Sequence, residues 1–240
     1  CIRDSTMSWF LRLRENQEDD LAEELKAALD RCQERIEGEA STNAERRDMG
    51  TTLTLAYLLW PRLYVVHAGD SRCYVLRGAR LEQVTTDHTV AQQLVDKGVL
   101  QAEEAAESRF GHMLWNCLGG GSGELSPEVR RVNLVLGDTV LLCTDGLSKC
   151  VAKDRLAQLL KQGHTAEETC RHLVAAANGA GGPDNITVVV AHFRDADHQQ
   201  AQAHEHEHAT GKDGAGQTAH EQAPAAAVMD RALTRAAEPA

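Results

Sequence analysis

No run of apolar residues in this chain approaches the ~18 that a membrane-spanning helix needs. The longest, 53–60, is strand-sized and interrupted by Thr54. No signal peptide is visible. The seven cysteines, at 1, 32, 73, 117, 143, 150 and 170, are odd in number, and no two are spaced as C-x-x-C. Cys73, Cys117 and Cys143 lie in apolar runs, where cysteine packs as a small hydrophobe. A disulfide framework and a thiolate zinc site are thereby excluded, and a reducing, cytoplasmic compartment is expected. Basic residues are outnumbered, 25 Lys and Arg against 36 Asp and Glu, for a net charge of −11. That balance argues against a nucleic-acid partner, which needs a basic face. No internal repeat of fixed period occurs. The glycine-rich stretch 119–123 lacks the lysine and following helix of a phosphate-binding loop. No Ser or Cys has a convincing base partner, so no nucleophilic side chain is assigned. The chain starts with Cys rather than Met, so removal of an N-terminal segment is expected.

What is present divides unevenly. From about residue 196 the composition turns to Ala, His, Glu and Gln, and only Val228, Met229 and Leu233 are apolar residues larger than Ala. Such a segment cannot offset the entropy of ordering it, so 195–240 is expected to be a disordered acidic tail and 1–194 the folded domain. The alternating His204, His206 and His208 of that tail are expected to bind metals only adventitiously.

Within 1–194, the spacing of Leu21, Leu25, Leu29, Cys32 and Ile36 predicts an amphipathic helix over 19–37, followed by a polar loop over 38–50. Apolar runs at 51–60 and 62–68, parted by Pro61, read as a hairpin. A second pair lies at 72–76 and 80–84, with Gly78 at the turn. Helical spacing returns at 89–97 and 102–107. Strands are predicted at 129–136 and 138–144 with a Gly137-Asp138 turn between them. Helices follow at 153–161 and 166–177, and a last strand at 185–193. Hairpin-linked strands with grouped helices predict an α+β protein rather than a doubly wound parallel sheet.

Three short acidic segments punctuate those strands: Gly69-Asp70-Ser71-Arg72, Thr144-Asp145-Gly146-Leu147 and Asp184-Asn185-Ile186-Thr187. Taken singly, each Asp reads as a turn or helix cap, with Asp70 paired to Arg72. Three at strand boundaries point instead to carboxylates that hold a hard divalent cation, Mg²⁺ or Mn²⁺, and to metal-assisted hydrolysis.

Together with Met49-Gly50-Thr51-Thr52, Thr85-Thr86-Asp87-His88-Thr89, Leu94-Val95-Asp96-Lys97-Gly98, Gly137-Asp138-Thr139 and Gly182-Pro183, these segments resemble the bacterial metal-dependent serine/threonine phosphatases of the protein phosphatase 2C family. The resemblance covers about residues 49–193, with the motifs in family order. It implies a four-layer α-β-β-α sandwich of two antiparallel sheets flanked by helices. It also implies two metal ions, Mn²⁺ or Mg²⁺, with a third held more weakly. A metal-activated hydroxide would then attack phosphoserine or phosphothreonine in proteins. Residue by residue, Asp145 and Asp184 match ligands of the first metal, and Asp70 matches the Asp that joins Asp145 at the third. Asn185 matches a residue that orients the Asp184 loop, with Gly146 and Asp87 as further support of the site. Segment 89–117 matches the mobile flap, where Ser108, Arg109 and His112 are expected to tune substrate choice. The implied partners are phosphoproteins and a cognate serine/threonine kinase, with no nucleic acid and no membrane, and a monomer is expected.

Two upstream family segments are not found. One is an Arg followed by Asn-Glu-Asp, which grips the substrate phosphate. The other is Asp-Gly-x-Gly-Gly, whose Asp bridges the metals. Arg14–Asp19 imitates the first only superficially. The expectation is a chain that begins after both, lacks its first strands and cannot assemble the two-metal centre unaided. Lys149 stands where members often carry an acidic residue, and Trp115–Gly119 replaces a more basic stretch. Neither is expected to touch a metal ligand. His88 is expected to pack or hydrogen-bond beside Asp87 rather than act as a general acid. The rival reading is a catalytically inactive phosphatase-fold module that binds a phosphoprotein or kinase. A third is a phosphatase acting on a regulator of transcription factors.

Overall fold

The computed structural model describes residues 21–120 and 124–194. They fall into two compact units, one drawn from residues up to Cys73 and Gln83–Leu134, the other from Tyr74–Glu82 and Val135 onward. The predicted tail with its alternating histidines, the Arg14–Asp19 stretch and residues 121–123 lie outside the described residues.

The first unit opens with helix α1, Leu21–Thr42. Leu21, Leu25 and Leu29 recur every four residues and are buried on Tyr64 and Val66. Each such leucine contributes about 2 kcal/mol when taken out of water. One turn further, Cys32 and Ile36 pack on Leu118. The sheet beneath has the order β2-β3-β7, from Leu53–Leu59, Arg62–Ala68 and Glu128–Asn133. β2 and β3 form the predicted hairpin, in register from Leu53 opposite Ala68 to Leu59 opposite Arg62. β7 pairs along β3 from Arg62 opposite Asn133 to His67 opposite Glu128. A two-stranded ribbon, β1 (Gly50–Thr51) with β6 (Leu118–Gly119), and the short helices α2 (Val90–Asp96) and α3 (Ala102–Glu107) complete this unit.

The second unit is built on a four-stranded sheet of order β5-β4-β8-β9, from Arg80–Gln83, Arg72–Arg77, Thr139–Cys143 and Val188–His192. Its helices are α4 (Asp145–Ser148), α5 (Lys153–Lys161) and α6 (Ala166–Gly179). Leu156, Leu159 and Leu160 of α5 and Leu173 and Ala177 of α6 form one buried cluster with Leu141, Val188 and Val190 of the sheet. Thr165 and Glu168 cap α6 reciprocally, each side chain bonding the other's backbone amide. Among the described residues no helix is long and apolar enough to cross a membrane.

The α+β class stands, but three local readings need correction. Helix α1 does not stop before residue 38; the hydroxyls of Ser41 and Thr42 bond back to the Gly38 carbonyl and carry it to Thr42. The Gly137-Asp138 turn joins no hairpin. β7 pairs with β3 and β8 with β9, so the two strands lie in different sheets. The reason is Asp138 itself. Its buried carboxylate takes the Val135 amide at 2.9 Å and the fork of Arg77 at 2.9 and 2.7 Å, fixing a corner rather than a tight reversal. The last strand begins at Val188 rather than 185, because the residues ahead of it are engaged elsewhere.

Candidate active site

In the second unit two acidic loops are stitched together at one end of the β8–β9 pair. The Thr144 amide donates to the Thr187 carbonyl at 3.1 Å. The Thr144 hydroxyl accepts from the Thr187 amide at 3.0 Å and donates to the Asn185 carbonyl at 3.2 Å. A methyl group on Gly146 would stand 2.5 Å from that same carbonyl, so only glycine lets the loops come this close. Asp145 opens α4, and Asp184 accepts the Asn185 amide on Oδ1 at 2.7 Å. The sequence-predicted Asp145, Gly146, Asp184 and Asn185 are thus brought into one place.

Lys149 departs from expectation. Its ammonium lies 2.6 Å from Oδ2 of Asp145, so it does touch a candidate ligand. The i, i+4 spacing on a helix makes this contact, a geometry that the sequence contains once Asp145–Lys149 is read as helical. Asp145 and Asp184 are hard anionic oxygen donors, and one or two carboxylates completed by water is how Mg²⁺ and ions like it are commonly held. In donor chemistry this pair therefore fits the implied metal.

Asp70 belongs to the first unit and is buried at 7% exposure. It follows Gly69, whose φ is +120° and where a Cβ would stand 2.4 Å from the Thr52 methyl, so a side chain is excluded there. Ser71 anchors the same turn, its hydroxyl 3.0 Å from that of Thr52 and its carbonyl accepting from Thr54 at 3.0 Å. Asp87 grips Arg72 with both oxygens, Nε to Oδ1 at 2.8 Å and Nη2 to Oδ2 at 2.6 Å, and accepts from Gln83 at 3.0 Å. Its carboxylate is thus committed to Arg72 and Gln83.

Ser108, Arg109 and His112 lie together in the loop after α3. Ser108 caps that helix and accepts the Phe110 amide at 3.2 Å, while the Arg109 guanidinium stacks 4.7 Å from the Phe110 ring centroid. Arg109 and His112 are exposed. The loop folds back on the start of α2, with the Ala91 amide on the Phe110 carbonyl and the Val90 amide on the Met113 carbonyl.

Sequence reasoning missed a buried polar cluster in the first unit. His67, His88 and Glu128 place one ligand-type atom each within 4.8 Å of one another, the only such group of three among the described residues. The strand register sets His67 opposite Glu128, a pairing of distant segments that no local pattern reveals. Burial pushes the pKa of His67 down and, with His67 as a like neighbour, that of His88 down to about 4. Burial pushes Glu128 up, but the Thr86 amide and Arg130 outweigh it and hold the carboxyl below its usual range.

This cluster is hydrogen-bonded rather than poised for a metal. His67 Nε2 faces the Thr86 carbonyl at 3.1 Å and so carries the proton. His67 Nδ1 meets the Thr54 hydroxyl at 2.9 Å. His88 Nδ1 accepts the Gly69 amide at 3.2 Å and the Asn116 side-chain amide at 2.8 Å. Glu128 takes the Thr86 amide and hydroxyl and Arg130. A metal would have to displace these partners from both rings and the carboxylate.

The profile of the family described as Protein phosphatase 2C matches residues 4–181. Serine/threonine protein phosphatase PstP of Mycobacterium tuberculosis is 38% identical over 183 residues, which is 76% of this chain and 35% of PstP. The chain thus spans about a third of that relative. Its structure superposes on that of the Mycobacterium tuberculosis serine/threonine phosphatase PstP/Ppp with a TM-score of 0.72 at 34% identity, covering 81% of this chain and 82% of the other. The catalytic domain of PstP in complex with two manganese ions gives a TM-score of 0.65 at 33% identity, covering 79% and 78%.

Proposed function

This chain belongs to the protein phosphatase 2C family, and on that premise we propose that it serves the metal-dependent hydrolysis of phosphoserine and phosphothreonine in proteins. The observation that carries the reading is the joining of the Asp145 and Asp184 loops through Thr144, Gly146 and Asn185. The manganese-bound PstP domain, at 33% identity, supports Mn²⁺ or Mg²⁺ as the ion.

Asp145 and Asp184 would hold a divalent cation, with Asp70 at a further position. Bound there, such an ion supplies a Lewis acid that activates water and offsets phosphate charge. The chain's own residues do the rest by positioning. Thr144 and Gly146 keep the two carboxylate loops in register. Asp87 and Gln83 hold Arg72 behind the Asp70 turn. Arg109 and His112 put exposed donors on the segment that would meet a phosphopeptide. No side chain acts as nucleophile. The substrates are phosphorylated proteins and the partner a serine/threonine kinase whose marks the enzyme removes, in the cytoplasm, where an acidic chain whose described cysteines form no disulfide fits.

One observation favours a second reading, a module that binds a phosphoprotein or kinase without turnover: the ammonium of Lys149 already neutralises Asp145. Mn²⁺-dependent phosphate release from a phosphothreonine peptide, with Asp145→Asn as control, decides between them. Turnover lost in the variant supports the enzyme. A folded chain without turnover sinks it and leaves the binding module.

A further inference from the structure

We infer that His88 is a positioning residue that fastens the turn bearing Asp70 to the base of segment 89–115. Both backbone groups of Gly69 end on it. The His88 amide donates to the Gly69 carbonyl at 2.7 Å, and His88 Nδ1 accepts the Gly69 amide at 3.2 Å. Thr52 also crowds Gly69, since a Cβ there would stand 2.4 Å from the Thr52 methyl. The residue that presents Asp70 is therefore held between Thr52 and His88.

The same histidine receives both feet of the segment. Its carbonyl accepts the Trp115 amide at 3.0 Å, and its ring meets the Trp115 ring at 5.0 Å between centroids. Thr89 bridges Leu114 beside it. Asn116, 1% exposed, donates Nδ2 to His88 Nδ1 at 2.8 Å. Asn116 cannot be turned around, since its Oδ1 accepts the Ser126 amide at 3.0 Å and its Nδ2 donates to the Ser126 carbonyl at 2.7 Å. Two donors of fixed sense thus point at Nδ1, so the neutral ring carries its proton on Nε2. That tautomer is what allows one nitrogen to join the Asp70 turn to the end of the segment. A phenyl or alkyl group of similar size would fill the space and join nothing.

The test is amide hydrogen exchange on the full chain, comparing His88→Leu and His88→Asn. Leucine removes the acceptor; asparagine returns an oxygen near the position of Nδ1. In His88→Leu, exchange at Gly69 rises about tenfold, as loss of a hydrogen bond predicts, while Trp115, whose amide bonds the backbone carbonyl of residue 88, and the β8–β9 pair are unchanged. His88→Asn restores protection at Gly69. Unchanged exchange at Gly69, or an equal rise throughout the first unit, overturns the proposal. Should His88→Leu fail to fold, Asn116→Asp serves instead. It turns the donor facing Nδ1 into an acceptor, and nitrogen NMR is expected to show the His88 proton moved to Nδ1; an unmoved proton overturns the inference.

The last link rests on reading Asp70 as a metal ligand. Mn²⁺ binding followed by electron paramagnetic resonance is expected to weaken in His88→Leu and recover in His88→Asn. Raised exchange with unchanged Mn²⁺ binding overturns that link alone, and the exchange results stand whether or not the wild-type chain hydrolyses phosphopeptides.

Discussion

The ammonium of Lys149 lies 2.6 Å from Oδ2 of Asp145, one helical turn along α4. A cation built into the chain there competes with any cation from solution, because ligand charge count sets divalent affinity. Lys149→Met is expected to tighten Mn²⁺ binding, by about tenfold if the full local charge is felt. Titration calorimetry checks this, and equal affinity in the two proteins would show that the ammonium steps aside without cost.

Gly146 is the second lever. Alanine at an exposed helical glycine ordinarily stabilises by about 1 kcal/mol. Here the added methyl meets the Asn185 carbonyl at 2.5 Å, and backbone must move. Gly146→Ala is expected to destabilise by about 1–3 kcal/mol in urea unfolding and to weaken Mn²⁺ binding as the loops part.

The Arg77–Asp138 pair predicts an asymmetry. The Asp138 carboxylate is fully buried and the Arg77 side chain 52% exposed. Burial pushes Asp138 up, yet Arg77 and the Val135 amide hold it below the usual carboxylate range. Removing Arg77 strands a buried charge, whereas removing Asp138 frees an arginine that water can reach. Arg77→Ala is expected to cost about 2–4 kcal/mol and Asp138→Asn less, as chemical denaturation of both will test.

The buried histidines set the acid response. Folded His88 protonates near pH 4, against 6.5 for an ordinary histidine. Between these values the unfolded chain binds a proton that the folded chain refuses, so stability is full above pH 6.5 and falls as pH drops towards 4. His67, also lowered by burial, faces the same cluster and adds in the same direction; Glu128 and Asp87 oppose both only in part. Glu128 and Asp138, held low, extend the loss into more acidic solution. Thermal melts of the wild type and His88→Asn across this range are expected to diverge above pH 4 and show a shallower slope in the variant.

Much of this was legible from local pattern. The four-residue spacing of Leu21, Leu25 and Leu29 predicts α1, and the hydrophobic run after Pro61 predicts β3 to the residue. The acidic loops announce themselves because Asp145 and Asp184 each stand beside a strand. What stayed hidden depends on partners far apart in the chain. Whether Gly137-Asp138 makes a hairpin or a corner is decided by Arg77, which no window around residue 138 contains. His67 and Glu128 face each other only through strand register. Lys149 reads as a departure from a motif until Asp145–Ser148 is seen to be helical, and then its contact is required.

The order of strands in the four-stranded sheet has a kinetic side. β4 ends at Arg77, and its sheet neighbour β8 does not begin until Thr139. At a synthesis rate of roughly 5–20 residues per second, the β4–β5 hairpin waits several seconds on the ribosome with an open edge. No single cut in the chain yields either compact unit whole, since each is drawn from two stretches that alternate along the sequence. Dissecting this protein by simple truncation will therefore damage both units at once, and isolating one of them requires excising an internal stretch and rejoining the chain across the gap.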